Sequence, residues 1–127
     1  ITQTGTVLGT INYMSPEQIS RAEFSPASDL YAMGVIFYET VTHQVPFPGE
    51  RITDIMKHVM IDEPVEPIRL RPDLPIAFND LIMSLLNKKA EERPKGEDIL
   101  IDLRHILATL PPPPNYEVTQ KMEKPKQ

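Results

Sequence analysis

The chain has 127 residues, enough for one compact domain with a sizeable core. At 40% hydrophobic and 24% charged it reads as soluble and globular rather than disordered, and a net charge of -5 excludes the basic footprint of a nucleic-acid binder. The absence of cysteine excludes disulfides and thiolate metal sites, and no apolar run approaches the ~20 residues of a membrane span.

Residues 1 to 14, ITQTGTVLGTINYM, are rich in Thr and Gly and read as an irregular, partly exposed loop. The opening stretch has neither the basic n-region nor the apolar h-region of a secretory leader. A first residue of Ile rather than Met leads us to expect a fragment with further chain before it. Ser15 then precedes Pro16 and Glu17. Ser is a favoured N-cap and Pro suits the first helical position, which predicts a short helix over Pro16 to Ser20.

Ser25-Pro26 repeats that start signal. The run after it is apolar almost all the way round from Leu30 to Val41, which predicts a buried helix at the centre of the domain. A Pro/Gly loop over Val45 to Glu50 follows. Ile52, Ile55, Met56 and Val59 then recur at helical spacing. Residues 62 to 75 carry Pro64, Pro67, Pro72 and Pro75, which predicts no regular structure there. Phe78, Leu81, Ile82, Leu85 and Leu86 mark an amphipathic helix. Ile99, Leu103, Ile106, Leu107 and Leu110 mark another, with a polar hinge from Lys88 to Gly96 between them. Pro111 to Pro114 favour polyproline II, either as a stiff spacer or as a ligand for an SH3-like groove. The tail from Asn115 to Gln127 is polar and expected not to pack. Strand signals are weak throughout. The expectation is a mainly α domain over residues 1–110, with a proline-rich linker over 111–127.

Four segments carry a family resemblance. GTINYMSPE, Gly9 to Glu17, resembles the end of the activation segment of protein kinases, with Ser15 where Ala is usual. Ser28-Asp29-Leu30-Tyr31-Ala32-Met33-Gly34-Val35 resembles the start of the buried central helix of the kinase large lobe. Val45-Pro46-Phe47 resembles the G-x-x-P-F loop, with Gln44 in the stretch where a Gly is common. Leu86 to Pro94 resembles L-x-K-[DN]-P-x-x-R-P, with Ala90 in place of Pro and Arg93 kept. The likeness runs from Ile1 to about Leu110, and the loop TQTGTVLGT resembles the bacterial branch of eukaryotic-type kinases. The implied fold is the helical large lobe of a serine/threonine protein kinase, truncated so that the small lobe and catalytic loop are missing.

The resemblance also implies roles. Glu17 and Arg93 would form a buried ion pair tying the activation segment to the helical core; otherwise they are ordinary surface charges. Asp29 would accept hydrogen bonds from the catalytic loop, beyond its favourable place in a first helical turn. Gly9, Thr10 and Tyr13 would belong to the substrate-proximal loop, and Gly9-Thr10 favours Ser/Thr as acceptor. Met14 would help shape the acceptor pocket or simply pack. Thr2, Thr4 and Thr6 are candidate phosphorylation sites. His43, His58 and His105 lack the spacing and acidic neighbours of a metal site and read as structural or solvated.

Phosphoryl transfer needs a Gly-rich loop, a strand Lys, the Asp of H-R-D and the Asp of D-F-G. The 127 residues contain none of these motifs. The implied parent enzyme uses ATP and Mg, moves the γ-phosphate to protein substrates and resides in the cytoplasm, with or without a membrane anchor. This chain alone is expected to bind neither ATP nor Mg and to lack activity. Its expected partners are the protein substrate and the missing N-terminal half of the kinase domain. An alternative is a non-catalytic scaffold. Without upstream helices, Tyr31, Ile36, Phe37 or Tyr38 would leave an apolar patch that promotes self-association.

Overall fold

A computed structural model describes residues 9–112. The sequence signals for Thr2, Thr4, Thr6 and the tail from Pro113 lie outside the described residues. No β-strand occurs among the described residues, and none of their helices is long and apolar enough to cross a membrane.

Residues 9–11 take a short turn of helix inside the stretch expected to be irregular. Helix α1 follows over Pro16–Arg21. Ser15 caps it through a reciprocal box: Gln18 N–H donates to Ser15 Oγ at 3.3 Å, and Ser15 N–H donates to Gln18 Oε1 at 2.7 Å. The long helix α2, Pro26–Thr42, begins at the Ser25 cap. It ends at His43 with φ 62, a left-handed conformation that costs any side chain except glycine's. The position demanding glycine is therefore His43 rather than Gln44.

Helix α3 covers Ile52–Ile61, and α5 covers Ile76–Leu85. Between them lies a single turn, α4, over Pro67–Leu70. This corrects the expectation of no regular structure there. Pro67 sits at the first position of the turn, where its missing N–H costs nothing. A 3-10 turn at Ala90–Glu92 leads to the last helix, α6, over Gly96–Thr109.

Helix α2 forms the centre, and α5 packs along it while α6 packs on α5. Tyr31, Val35 and Tyr38, spaced by 3 or 4, are buried at 0–2% exposure. Each such side chain contributes roughly 1.5–3 kcal/mol by leaving water. Gly34 allows the crossing with α5: a Cβ there would lie 2.8 Å from Leu85 Cβ. Phe37 and Phe78 meet edge to face at 5.6 Å across the same pair of helices.

The central helix is not buried all round, contrary to its composition. Asp29, Ile36 and Thr40 share an exposed side, and Ile36 is 51% exposed. Tyr31 and Tyr38, expected in the apolar patch, instead lie in the core, and Phe37 is half-buried. On α6 only Ile99 and Ile106 are buried. Leu107 and Leu110 face outward.

Candidate functional site

The site is built where α1, the start of α2 and the 87–93 loop converge. Glu17 is the second residue of α1, and the capping box fixes that helix at the point where the preceding loop enters it. Arg93 follows the 3-10 turn, 76 residues later. The structure brings the two together. Arg93 Nη1 donates to Glu17 Oε2 at 2.6 Å, and Nη2 donates to Oε1 at 2.8 Å. The Arg93 and Glu17 side chains are 0% and 4% exposed.

A buried charge needs every donor and acceptor matched. The remaining Arg93 donors reach backbone carbonyls: Nε to Asn87 at 2.7 Å and Nη1 to Ala27 at 2.9 Å. Its guanidinium lies 5.1 Å from the centre of the Tyr31 ring, a cation–π contact in a dry setting. Ser28 Oγ donates to Glu17 Oε2 at 3.0 Å. Burial by itself would raise the Glu17 carboxyl. The hydrogen bond from Arg93, its own backbone, the Arg93 charge and Ser28 outweigh that, and the group is lowered to about 2.

The loop before α1 folds back on itself, with Tyr13 N–H to Thr10 C=O at 3.0 Å and Met14 N–H to Ile11 C=O at 3.2 Å. Ile11 is buried and anchors the loop in the core, while Gly9 and Thr10 are exposed. Tyr13 and Met14 pack against the main apolar cluster. Tyr13 Oη donates to Glu39 Oε1 of α2 at 2.5 Å, and that hydrogen bond is the main reason its phenol is pushed up, with burial second. Asp29 is exposed in the first turn of α2.

His43 and His105 are exposed. His58 is partly exposed, and its Nδ1 pairs with Asp62 one turn on. No group of three or more metal-ligating side chains occurs among the described residues.

The sequence reading missed Ser28 and Glu39. Ser28 stood beside Asp29 in the quoted motif without a role of its own. Glu39 was the lone carboxylate within the apolar run from Leu30 to Val41, a signal that a partner was needed.

The protein kinase domain family matches residues 2–103. Serine/threonine-protein kinase PknA of Mycobacterium tuberculosis is 46% identical over 94 residues, 73% of this chain and 21% of that protein. A probable serine/threonine-protein kinase of Clostridium acetobutylicum is 35% identical over 103 residues, 80% of this chain and 16% of that protein. Serine/threonine-protein kinase pkn3 of Myxococcus xanthus is 40% identical over 100 residues, 77% of this chain and 18% of that protein. The chain thus spans between 16% and 21% of the length of these relatives.

Proposed function

The chain belongs to the protein kinase domain family, and from that premise we propose that it is the acceptor platform of a serine/threonine protein kinase. The parent protein moves the ATP γ-phosphate to Ser or Thr hydroxyls of protein substrates. The loop from Gly9 to Tyr13 faces the acceptor segment. Thr10 is its polar contact to the catalytic groups, and Asp29 braces the catalytic loop. Thr2, Thr4 and Thr6 are the phosphorylation sites of the activation segment. Protein kinases generally use ATP with Mg. In this reading those ligands bind to motifs that the 127 residues do not contain, in the cytoplasm. The kinase domain ends near residue 110, where α6 stops, and the proline-rich stretch beyond is a linker.

The observation that carries the reading is the buried two-point pairing of Glu17 with Arg93. It locks an exposed loop, whose Thr10 and Gly9 face solvent, onto a rigid helical core. A site on a fixed element holds its geometry more closely than a free loop does. The capped α1 and the Tyr13–Glu39 bond add two further anchors at the end of the loop that leads into α1.

The test is phosphate transfer by the full-length protein carrying these residues. With Mg-ATP and a protein acceptor it yields phosphoserine and phosphothreonine, and Thr10→Ala lowers the rate by about 10-fold or more. Phosphotyrosine as the main product contradicts the reading. An absence of transfer, with partner binding retained, supports the scaffold alternative instead.

A further inference from the structure

Glu17 has a third donor, and it comes from a different element than Arg93. Ser28 lies in the first turn of α2 and is 1% exposed. A serine hydroxyl has a single proton. At 3.0 Å, Glu17 Oε2 is its nearest acceptor, closer than Glu23 C=O at 3.4 Å. The hydroxyl oxygen of Ser28 is left free to accept.

Ser25 supplies that bond. As the cap of α2, Ser25 Oγ accepts the backbone N–H of Ser28 at 3.4 Å. Its own proton then has Ser28 Oγ within 3.4 Å. The donors run in one direction, from the start of α2 through Ser25 and Ser28 to the carboxylate. Hydrogen bonds in such a series polarise one another.

Arg93 meets both carboxylate oxygens alike, so its two-pronged grip does not distinguish them. Ser28 reaches Oε2 only and removes that equivalence. The two anchors differ in how they reach α2: Arg93 belongs to the 87–93 loop and touches the first turn of α2 through the Ala27 carbonyl, whereas Ser28, the next residue of that turn, bonds Glu17 directly. Glu17 is consequently fixed relative to α2 as well as to the 87–93 loop. Three residues separate Glu17 from Tyr13, and the capped α1 transmits the position of one to the other.

We propose that Ser28, oriented by Ser25, is a positioning residue for the acceptor loop: it holds Glu17, and with it α1 and residues 10–14, in one position. The inference rests on the reading of this loop as the acceptor platform. Ser28→Ala removes one neutral donor and leaves the ion pair, so the fold persists while the loop gains freedom.

The test compares Ser28→Ala with Ser84→Ala in the full-length protein. Ser84 also makes a local hydrogen bond, to Leu81 C=O at 2.7 Å, but sits on α5. Ser28→Ala raises KM for the protein acceptor about three- to tenfold, the scale of one buried hydrogen bond, with KM for ATP unchanged. Ser25→Ala gives a smaller rise, and Ser84→Ala gives none. Hydrogen exchange of the backbone amides from residues 10 to 17 speeds up in Ser28→Ala, while α5 and α6 stay as in the parent. Equal rises in both KM values, or exchange that quickens everywhere, overturn the proposal. If the full-length protein transfers no phosphate, the kinase reading fails, and exchange over residues 10–17 alone decides the role of Ser28.

Discussion

At the scale of single residues, Arg93 is the side chain on which most depends. It closes the Glu17 pair and satisfies carbonyls on two segments, all out of contact with water. Arg93→Ala leaves Glu17 charged and buried, and the expected loss of stability is about 3–5 kcal/mol by denaturant unfolding. Arg93→Lys does not restore it, because an ammonium cannot span both carboxylate oxygens. Glu17 also sets an acid limit. Its carboxyl is held at about 2 against the ordinary 4.5. A lowered carboxyl gives stability that is complete above the ordinary value and lost as pH falls toward the folded one. The loss therefore falls between pH 4.5 and about 2 and amounts to roughly 3 kcal/mol. Glu17→Gln flattens that part of a stability-against-pH curve. Tyr31 behaves differently. Its ring is buried against Arg93, but its hydroxyl has no hydrogen-bond partner among the described residues. Burial pushes that phenol well up. Tyr31→Phe, which keeps the ring and removes the orphaned group, is expected to be neutral or stabilising in thermal unfolding.

At the scale of elements, the two ends of α2 show what a sequence does and does not make legible. Its start was readable: Ser25-Pro26 is a cap followed by a residue suited to the first turn, and the helix begins there. Its place at the centre of the packing followed from the apolar run. The exposed side with Ile36 was not readable, because an apolar residue looks the same in a sequence whether or not a neighbour covers it. The positive φ at His43 was also hidden, since the sequence has a histidine where the backbone asks for glycine. His43→Gly is expected to stabilise the protein by about 1 kcal/mol in chemical unfolding. The short turn at Pro67 is hidden in a proline-rich stretch, because a proline at the first helical position starts a turn that one further along would break. The contact between Tyr13 and Glu39, 26 residues apart, was invisible to local spacing. The crossing of α2 and α5 sets the tightest packing limit. Gly34→Ala puts a methyl 2.8 Å from Leu85 Cβ, and both atoms are attached directly to helical backbone. The helices must separate, at an expected cost of about 1–3 kcal/mol.

At the scale of the whole molecule, the described residues combine a well-packed interior with exposed apolar side chains on α2 and α6. Ile36 on α2 and Leu100 and Leu107 on α6 are each at least half exposed. Leu30, Met33 and Leu103 add partly buried apolar surface on the same two helices. Apolar area of this kind favours association. The 127-residue chain is expected to sediment faster as its concentration rises, and Ile36→Glu with Leu107→Glu is expected to reduce that trend. A monomer at all concentrations contradicts it. The loop before α1 lies at the end of a linked series of contacts that runs from the 87–93 loop through Arg93 and Glu17 to α1. That linkage ties the loop before α1 to the helical core.

The most direct test of this linkage is a double-mutant cycle on Glu17→Gln and Arg93→Met, read by urea unfolding. A coupling energy above about 2 kcal/mol is expected, because each single change strands the other partner in the interior. Single losses that simply add, with coupling near zero, would contradict the account.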